Sequence, residues 1–127
     1  MTGAPLTPTA PVAPGLGIDL IEIERVEAAL ARRPRLADRL FRPAELEAAA
    51  RRARPGRHLA ARFAAKEAAI KALGGACGPR DVEVGGGPVP ELVLHGRARD
   101  AAEANGFELV VSLTHSRETA AAVVVAR

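Results

Sequence analysis

Beyond residue 14, the spacing of apolar positions changes several times along the chain, and each change marks an element. "GLGIDLIEI" (15–23) is apolar on both alternating sides and begins after a proline and a glycine, which predicts a strand. From Glu22 or Glu24 the spacing becomes three and four: Ile23, Val26 and Leu30 align on one side of an amphipathic helix that ends by Pro34. Glu22 and Glu24 open this helix and Arg32 and Arg33 close it, as the helix dipole prefers. "RLADRLF" (35–41) predicts a short helix, and "RPAELEAAARRA" (42–53) another with Pro43 in its first turn. A long helix is expected over 57–73, with Leu59, Phe63, Ile70 and Leu73 as its core face and Gly74 and Gly75 ending it.

Past Gly75 the period shortens to two. "DVEV" (81–84) and "ELVLH" (91–95) flank the turn "GGGPVP" (85–90), and "GRARDAAEAN" (96–105) returns to a helix stopped by Gly106. "FELVVSLTHS" (107–116) and "ETAAAVVVA" (118–126) predict an antiparallel pair joined near Arg117. The fold class is α+β, with helices packed on one face of a largely antiparallel sheet. The proline-rich segment 1–14 is read as a flexible N-terminal extension and 15–127 as one domain.

Composition narrows the classes. The 127 residues include three phenylalanines and neither tryptophan nor tyrosine, so the core depends on small side chains, and burial between subunits would help it. A net charge of +3 favours acidic partners without requiring nucleic acid, and blocks such as "RRARPGR" (51–57) read as solvated surface. A nucleic-acid binder would pair a clustered basic face with stacking aromatics, and of the three phenylalanines here only Phe41 and Phe63 flank the basic stretch. No apolar run is long enough to cross a membrane, and the N-terminus lacks the charged-then-apolar pattern of a signal peptide, so a cytoplasmic location is expected. The single Cys77 excludes an internal disulfide.

Three polar residues stand in apolar company. Glu67 lies four residues after Phe63 and three before Ile70, inside the stripe assigned to the core. One explanation is a helix ion pair with Lys71, but such a pair contributes only about 0.2–0.5 kcal/mol. Asp19 interrupts an apolar strand, where a bland account is a strand-end aspartate capping a turn. If the two carboxylates converge, a hard divalent cation is the natural third party, and with no histidine or cysteine at ligand spacing, magnesium fits better than zinc. His115 sits where a strand gives way to a turn, beside Thr114, Ser116 and Arg117; such a residue is often plain surface, but near a polyphosphate it would form a binding rim. The only two lysines, Lys66 and Lys71, lie within one turn of Glu67, and with Arg62 they supply positive charge for phosphates.

"GIDLIEIERV" (17–26), "RFAAKEAAIKALG" (62–74) and "VSLTHSRETAAAVV" (111–124), with "RLFRPAELEAA" (39–49), together resemble the holo-acyl-carrier-protein synthases, the small trimeric 4′-phosphopantetheinyl transferases. The likeness runs from about Gly15 to the C-terminus. It implies transfer of the phosphopantetheine arm of coenzyme A to a serine of an acyl carrier protein, with magnesium, releasing 3′,5′-ADP from a site between subunits of a homotrimer. By the same resemblance Asp19 and Glu67 are the metal carboxylates, and Arg62, Lys71 and His115 contact the coenzyme A phosphates with Ser116 nearby. Arg25 faces the acidic carrier, whether that carrier serves fatty-acid, polyketide or peptide synthesis. The chain departs from the family over 75–91, where "GGACGPRDVEV" and "GGGPVPELVL" are short, so adenine contacts are not carried over. The alternative is a non-catalytic module that binds coenzyme A or the carrier.

Overall fold

The computed structural model describes residues 15–127; the extension read over 1–14 lies outside the described residues. The elements run β1 (Leu16–Glu22), α1 (Ile23–Arg32), α2 (Leu36–Leu40), α3 (Pro43–Ala50) and α4 (Pro55–Ala72), then a 3₁₀ turn at Pro79–Asp81. They continue with β2 (Val82–Val84), β3 (Leu92–Leu94), α5 (Gly96–Asn105), β4 (Leu109–His115) and β5 (Thr119–Ala126). The order matches the periodicity throughout, and α4 begins two residues earlier than expected, at Pro55, whose missing N–H costs nothing in a first turn. The strands form two antiparallel sheets rather than one: β1-β5-β4, and the separate pair β2-β3.

The α4 helix is the centre of the molecule, and its core face is not the one that large side chains mark. Leu59 and Leu73 are buried, but Phe63 and Ile70 are only half-buried. The fully covered apolar positions are alanines: Ala60, Ala64, Ala65, Ala68, Ala69 and Ala72 each have no exposed surface. Alanine on so many sides lets the strands and helices around α4 approach its backbone closely, where methyl groups interdigitate at interior density. Gly17 completes this contact. A Cβ at that position would lie 1.8 Å from the Ala68 carbonyl oxygen, so only glycine lets β1 lie this close to α4.

In the three-stranded sheet, Asp19 is opposite Ala122, which is opposite Leu113; one row further, Ile21 is opposite Ala120 and Ala120 opposite His115. Gly17, Asp19 and Ile21 alternate toward α4, while Leu16, Ile18 and Leu20 point the other way and are 66–71% exposed. The helices therefore cover one face of this sheet and leave an apolar opposite face in the open. Among the described residues, no helix is long and apolar enough to cross a membrane.

Candidate active site

The close approach of β1 to α4 brings Asp19 to the side of α4 that carries Glu67 and Lys71. Lys71 Nζ donates to Asp19 Oδ1 at 3.2 Å and to the Ile18 carbonyl at 3.0 Å. The helix pair expected between Glu67 and Lys71 is therefore replaced by one between Lys71 and the strand. Glu67 is half-buried beside them, in the boundary stripe with Phe63 and Ile70 rather than in the core. Burial first, and then the neighbouring Asp19 carboxylate, raise its pKa above the ordinary carboxylate value, with Lys71 acting in the opposite sense. That effect of Asp19 on Glu67 is what two convergent carboxylates predict.

The donor set suits a hard cation. Two carboxylates share the place, the ammonium of Lys71 already rests against one of them, and no group of three or more metal-ligating side chains occurs among the described residues. Two protein oxygens with room for phosphate and water are the arrangement magnesium takes, and not one that would hold zinc.

Arg62 and His115 belong to a second cluster, farther toward the start of α4. With Arg52, Arg54, Arg57 and His58 they line a cavity of about 320 Å³. A neighbouring cavity of about 430 Å³ shares Arg52, Arg62 and His115 and continues to Gly87, Pro88 and Pro90, in the turn between β2 and β3. The Nε of Arg62 is buried with no hydrogen-bond partner. Burial and then the adjacent Arg52 lower the pKa of Arg62, while Glu45 opposes them. His58 is held neutral, its pKa pushed down to about 4 by burial and by the charges of Arg62 and Arg52. An arginine-rich recess with no carboxylate in its lining and an unsatisfied buried donor calls for an anion.

The other sequence-marked residues divide. Ser116 closes the β4–β5 turn behind His115: its Oγ accepts the Thr119 N–H at 3.2 Å and lies 3.0 Å from Thr119 Oγ1. Arg25 is exposed on α1, with a long 3.9 Å contact to Glu22. It borders an apolar groove of about 380 Å³ between α1, α2 and α4, lined also by Val26, Leu30, Leu36, Leu40 and Phe63. Lys66 is not a phosphate ligand. It is fully buried, and its three donors go to Glu45 Oε1 at 2.7 Å, the Val82 carbonyl at 2.6 Å and the Pro79 carbonyl at 3.0 Å. Of the three cations that the sequence marked for phosphates, Lys66 is the one whose donors are already taken. Sequence reasoning missed Glu45, because an acid three residues past Arg42 looks like an ordinary first-turn acid. It also missed Arg52 and His58, because an arginine-rich block looks solvated. The signal available for His58 was its place four residues before Arg62, on the same side of a helix.

The family model of the 4′-phosphopantetheinyl transferase superfamily matches residues 15–123. A holo-[acyl-carrier-protein] synthase of Moorella thermoacetica is 50% identical over 115 residues, covering 86% of this chain and 90% of that protein. Among solved structures, the holo-[acyl-carrier-protein] synthase of Neisseria meningitidis superposes with a TM-score of 0.80 at 30% identity, covering 89% of this chain and 97% of the other. An ACPS–CoA complex from Chronobacterium ammoniagenes gives 0.79 at 28% identity, over 89% and 96% of the two chains. The chain belongs to the 4′-phosphopantetheinyl transferase superfamily, as an enzyme of the holo-[acyl-carrier-protein] synthase group.

Proposed function

We propose that this enzyme transfers the 4′-phosphopantetheine arm of coenzyme A to a serine of an acyl carrier protein and releases 3′,5′-ADP, with magnesium held by Asp19 and Glu67. The convergence of Asp19, Glu67 and Lys71 where β1 crosses α4 carries the reading. A bound magnesium ion would neutralise charge on the pyrophosphate as the bond breaks. Glu67, the carboxylate of the pair that Lys71 does not engage, would accept the proton of the carrier serine as that oxygen attacks the phosphorus bearing pantetheine. The bond from this phosphorus to the bridging oxygen breaks, and the oxygen leaves with 3′,5′-ADP. Lys71, exposed enough to turn from Asp19, supplies the positive charge that stabilises it. Arg62 and His115 hold the remaining phosphate, and Ser116 sets the turn that presents His115.

The partners follow from two surfaces. Leu16, Ile18 and Leu20, with Val110 and Val125 exposed on the flanking strands, make an apolar sheet face that suits a homotrimer with its sites between subunits. The groove beside Arg25 suits an acidic, amphipathic helix of the carrier. The cytoplasmic location expected from the sequence belongs to the same proposal.

Mass spectrometry of an apo acyl carrier protein incubated with this enzyme, coenzyme A and magnesium tests it. The expected result is the gain of one phosphopantetheine, abolished by chelation and by Asp19→Ala or Glu67→Ala in proteins that still fold. No gain over several carriers, with coenzyme A binding intact, would leave a binding module. Full turnover by either variant would remove the metal role.

A further inference from the structure

The two clusters of charge differ in kind. At Asp19, Glu67 and Lys71 carboxylates outnumber the cation, which fits a phosphate approached through a metal ion. The recess at Arg62 has no carboxylate in its lining. It fits an anion that carries its own full charge, a phosphate monoester dianion, and coenzyme A has one such group, on the 3′ position of its ribose.

Within this recess His58 is the anomalous member. An imidazole among arginines adds no charge as it stands. The charged and titratable groups that line the recess with it are Arg52 and Arg54 from the segment before α4, Arg57 and Arg62 from α4 itself, and His115 from β4. Arg54 is the one arginine already matched, since its Nε and an Nη donate to both oxygens of Glu27 on α1, at 3.0 and 2.7 Å. Burial first, and then the charges of Arg62 and Arg52, push the pKa of His58 down to about 4.

Resting on the function proposed above, we propose that His58 is a proton-coupled phosphate ligand that takes up a proton when the 3′-phosphate monoester enters the recess. A dianion seated against Arg52 and Arg62 offsets their repulsion, and as a charged acceptor beside the half-buried ring it favours the imidazolium against the cost of burial. No bond is made or broken in this step; one proton moves to the ring from solvent or from the monoanion of the phosphate itself. The site then distinguishes a ligand bearing the monoester from one lacking it by more than the arginines alone could, because the second ligand leaves His58 uncharged.

Isothermal titration calorimetry at pH 6 in two buffers of different ionisation enthalpy counts the protons exchanged on binding. The probes are 3′,5′-ADP and dephospho-coenzyme A, which carries no phosphate monoester. Binding of 3′,5′-ADP by the wild-type enzyme is expected to take up about one proton more than binding by His58→Gln. With dephospho-coenzyme A the two proteins are expected to match. Nitrogen NMR of the wild-type His58 ring, which needs no substitution, is expected to change from the neutral to the doubly protonated pattern on addition of 3′,5′-ADP. If 3′,5′-ADP binds and both proton counts and the ring spectrum stay the same, the role of His58 is overturned while the transferase reading stands. If 3′,5′-ADP does not bind at all, both fall together.

Discussion

The Nζ of Lys66 lies 2.7 Å from Oε1 of Glu45, and the two side chains are essentially without exposed surface. The pair joins α4 to α3, and through the carbonyls of Pro79 and Val82 and the N–H of Val84 it also fixes the segment that leads into β2. Phe41 covers it, its ring centroid 5.3 Å from the ammonium. Burial lowers the lysine's pKa, and its bond to Glu45 opposes that shift. Such a cluster is not a large net source of stability, because desolvation cancels most of the attraction, but it is costly to break on one side.

The first prediction follows from that asymmetry. Lys66→Met should destabilise the fold by about 3–5 kcal/mol, since it leaves the Glu45 carboxylate buried without its cation. Glu45→Gln should destabilise as well, because one amide oxygen cannot accept both from Lys66 and Arg42 N–H on one side and from Val84 N–H on the other, and the buried ammonium loses its counter-charge. Urea unfolding of the two variants measures both, and a Lys66→Met midpoint equal to the wild type would show that the pair is not buried as described.

A second prediction concerns pH. Because Glu67 has a pKa above the ordinary carboxylate value, the folded chain keeps its proton to higher pH than the unfolded chain does. Its contribution to stability is thus fully present below about pH 4.5 and is lost as pH rises through the raised folded value. Asp19→Asn removes a neighbouring negative charge, so the Glu67 titration should move to lower pH while remaining elevated by burial. Magnesium should move it lower still, and apparent magnesium affinity should weaken as pH falls through the Glu67 transition. Carboxyl-carbon NMR of Glu67 follows each shift. A titration unchanged by Asp19→Asn would mean that the two carboxylates do not converge.

Periodicity made the order of elements legible, because strands and helices here carry clean apolar spacings and their ends carry proline and glycine. Asp19 and Glu67 were legible for the opposite reason: each breaks the spacing of its element. The core face of α4 was not, because Leu, Phe and Ile draw attention while alanine looks neutral, and here alanines carry the packing. Lys66 was misread because a fully buried lysine and a site lysine look alike until the partner is known, and Glu45 lies 21 residues away in sequence. The arginine recess needed three dimensions, since it joins the block before α4 to the end of β4.

The third prediction rests on Gly17. Its backbone is not in the left-handed region, so alanine would meet no torsional penalty there, only the Ala68 carbonyl. Gly17→Ala should cost about 1–3 kcal/mol as β1 moves off α4 to make room. Asp19, two residues along on the same face, should move with it, so turnover should fall by more than the loss of folded protein accounts for. Activity per folded molecule, from turnover corrected by circular dichroism, decides this; a variant with wild-type turnover per folded chain would separate the Gly17 contact from the site.

The last prediction concerns the open face of the three-stranded sheet. Leu20 is 71% exposed in the single chain, and a charge placed there should change the stability of that chain very little. In an assembly the same position would be covered by another subunit, where an unpaired carboxylate is expensive. The proposed homotrimer therefore requires that the wild type sediment as three chains and that Leu20→Glu sediment as one. Turnover should be lost with assembly even though Asp19, Glu67 and Lys71 are untouched, because the site is proposed to need the neighbouring subunit. Analytical ultracentrifugation at matched concentrations, followed by the carrier-protein assay on the same samples, reads both effects. A Leu20→Glu protein that remains trimeric would show that this face is not the interface. A monomer with full turnover would place the whole reaction within one chain.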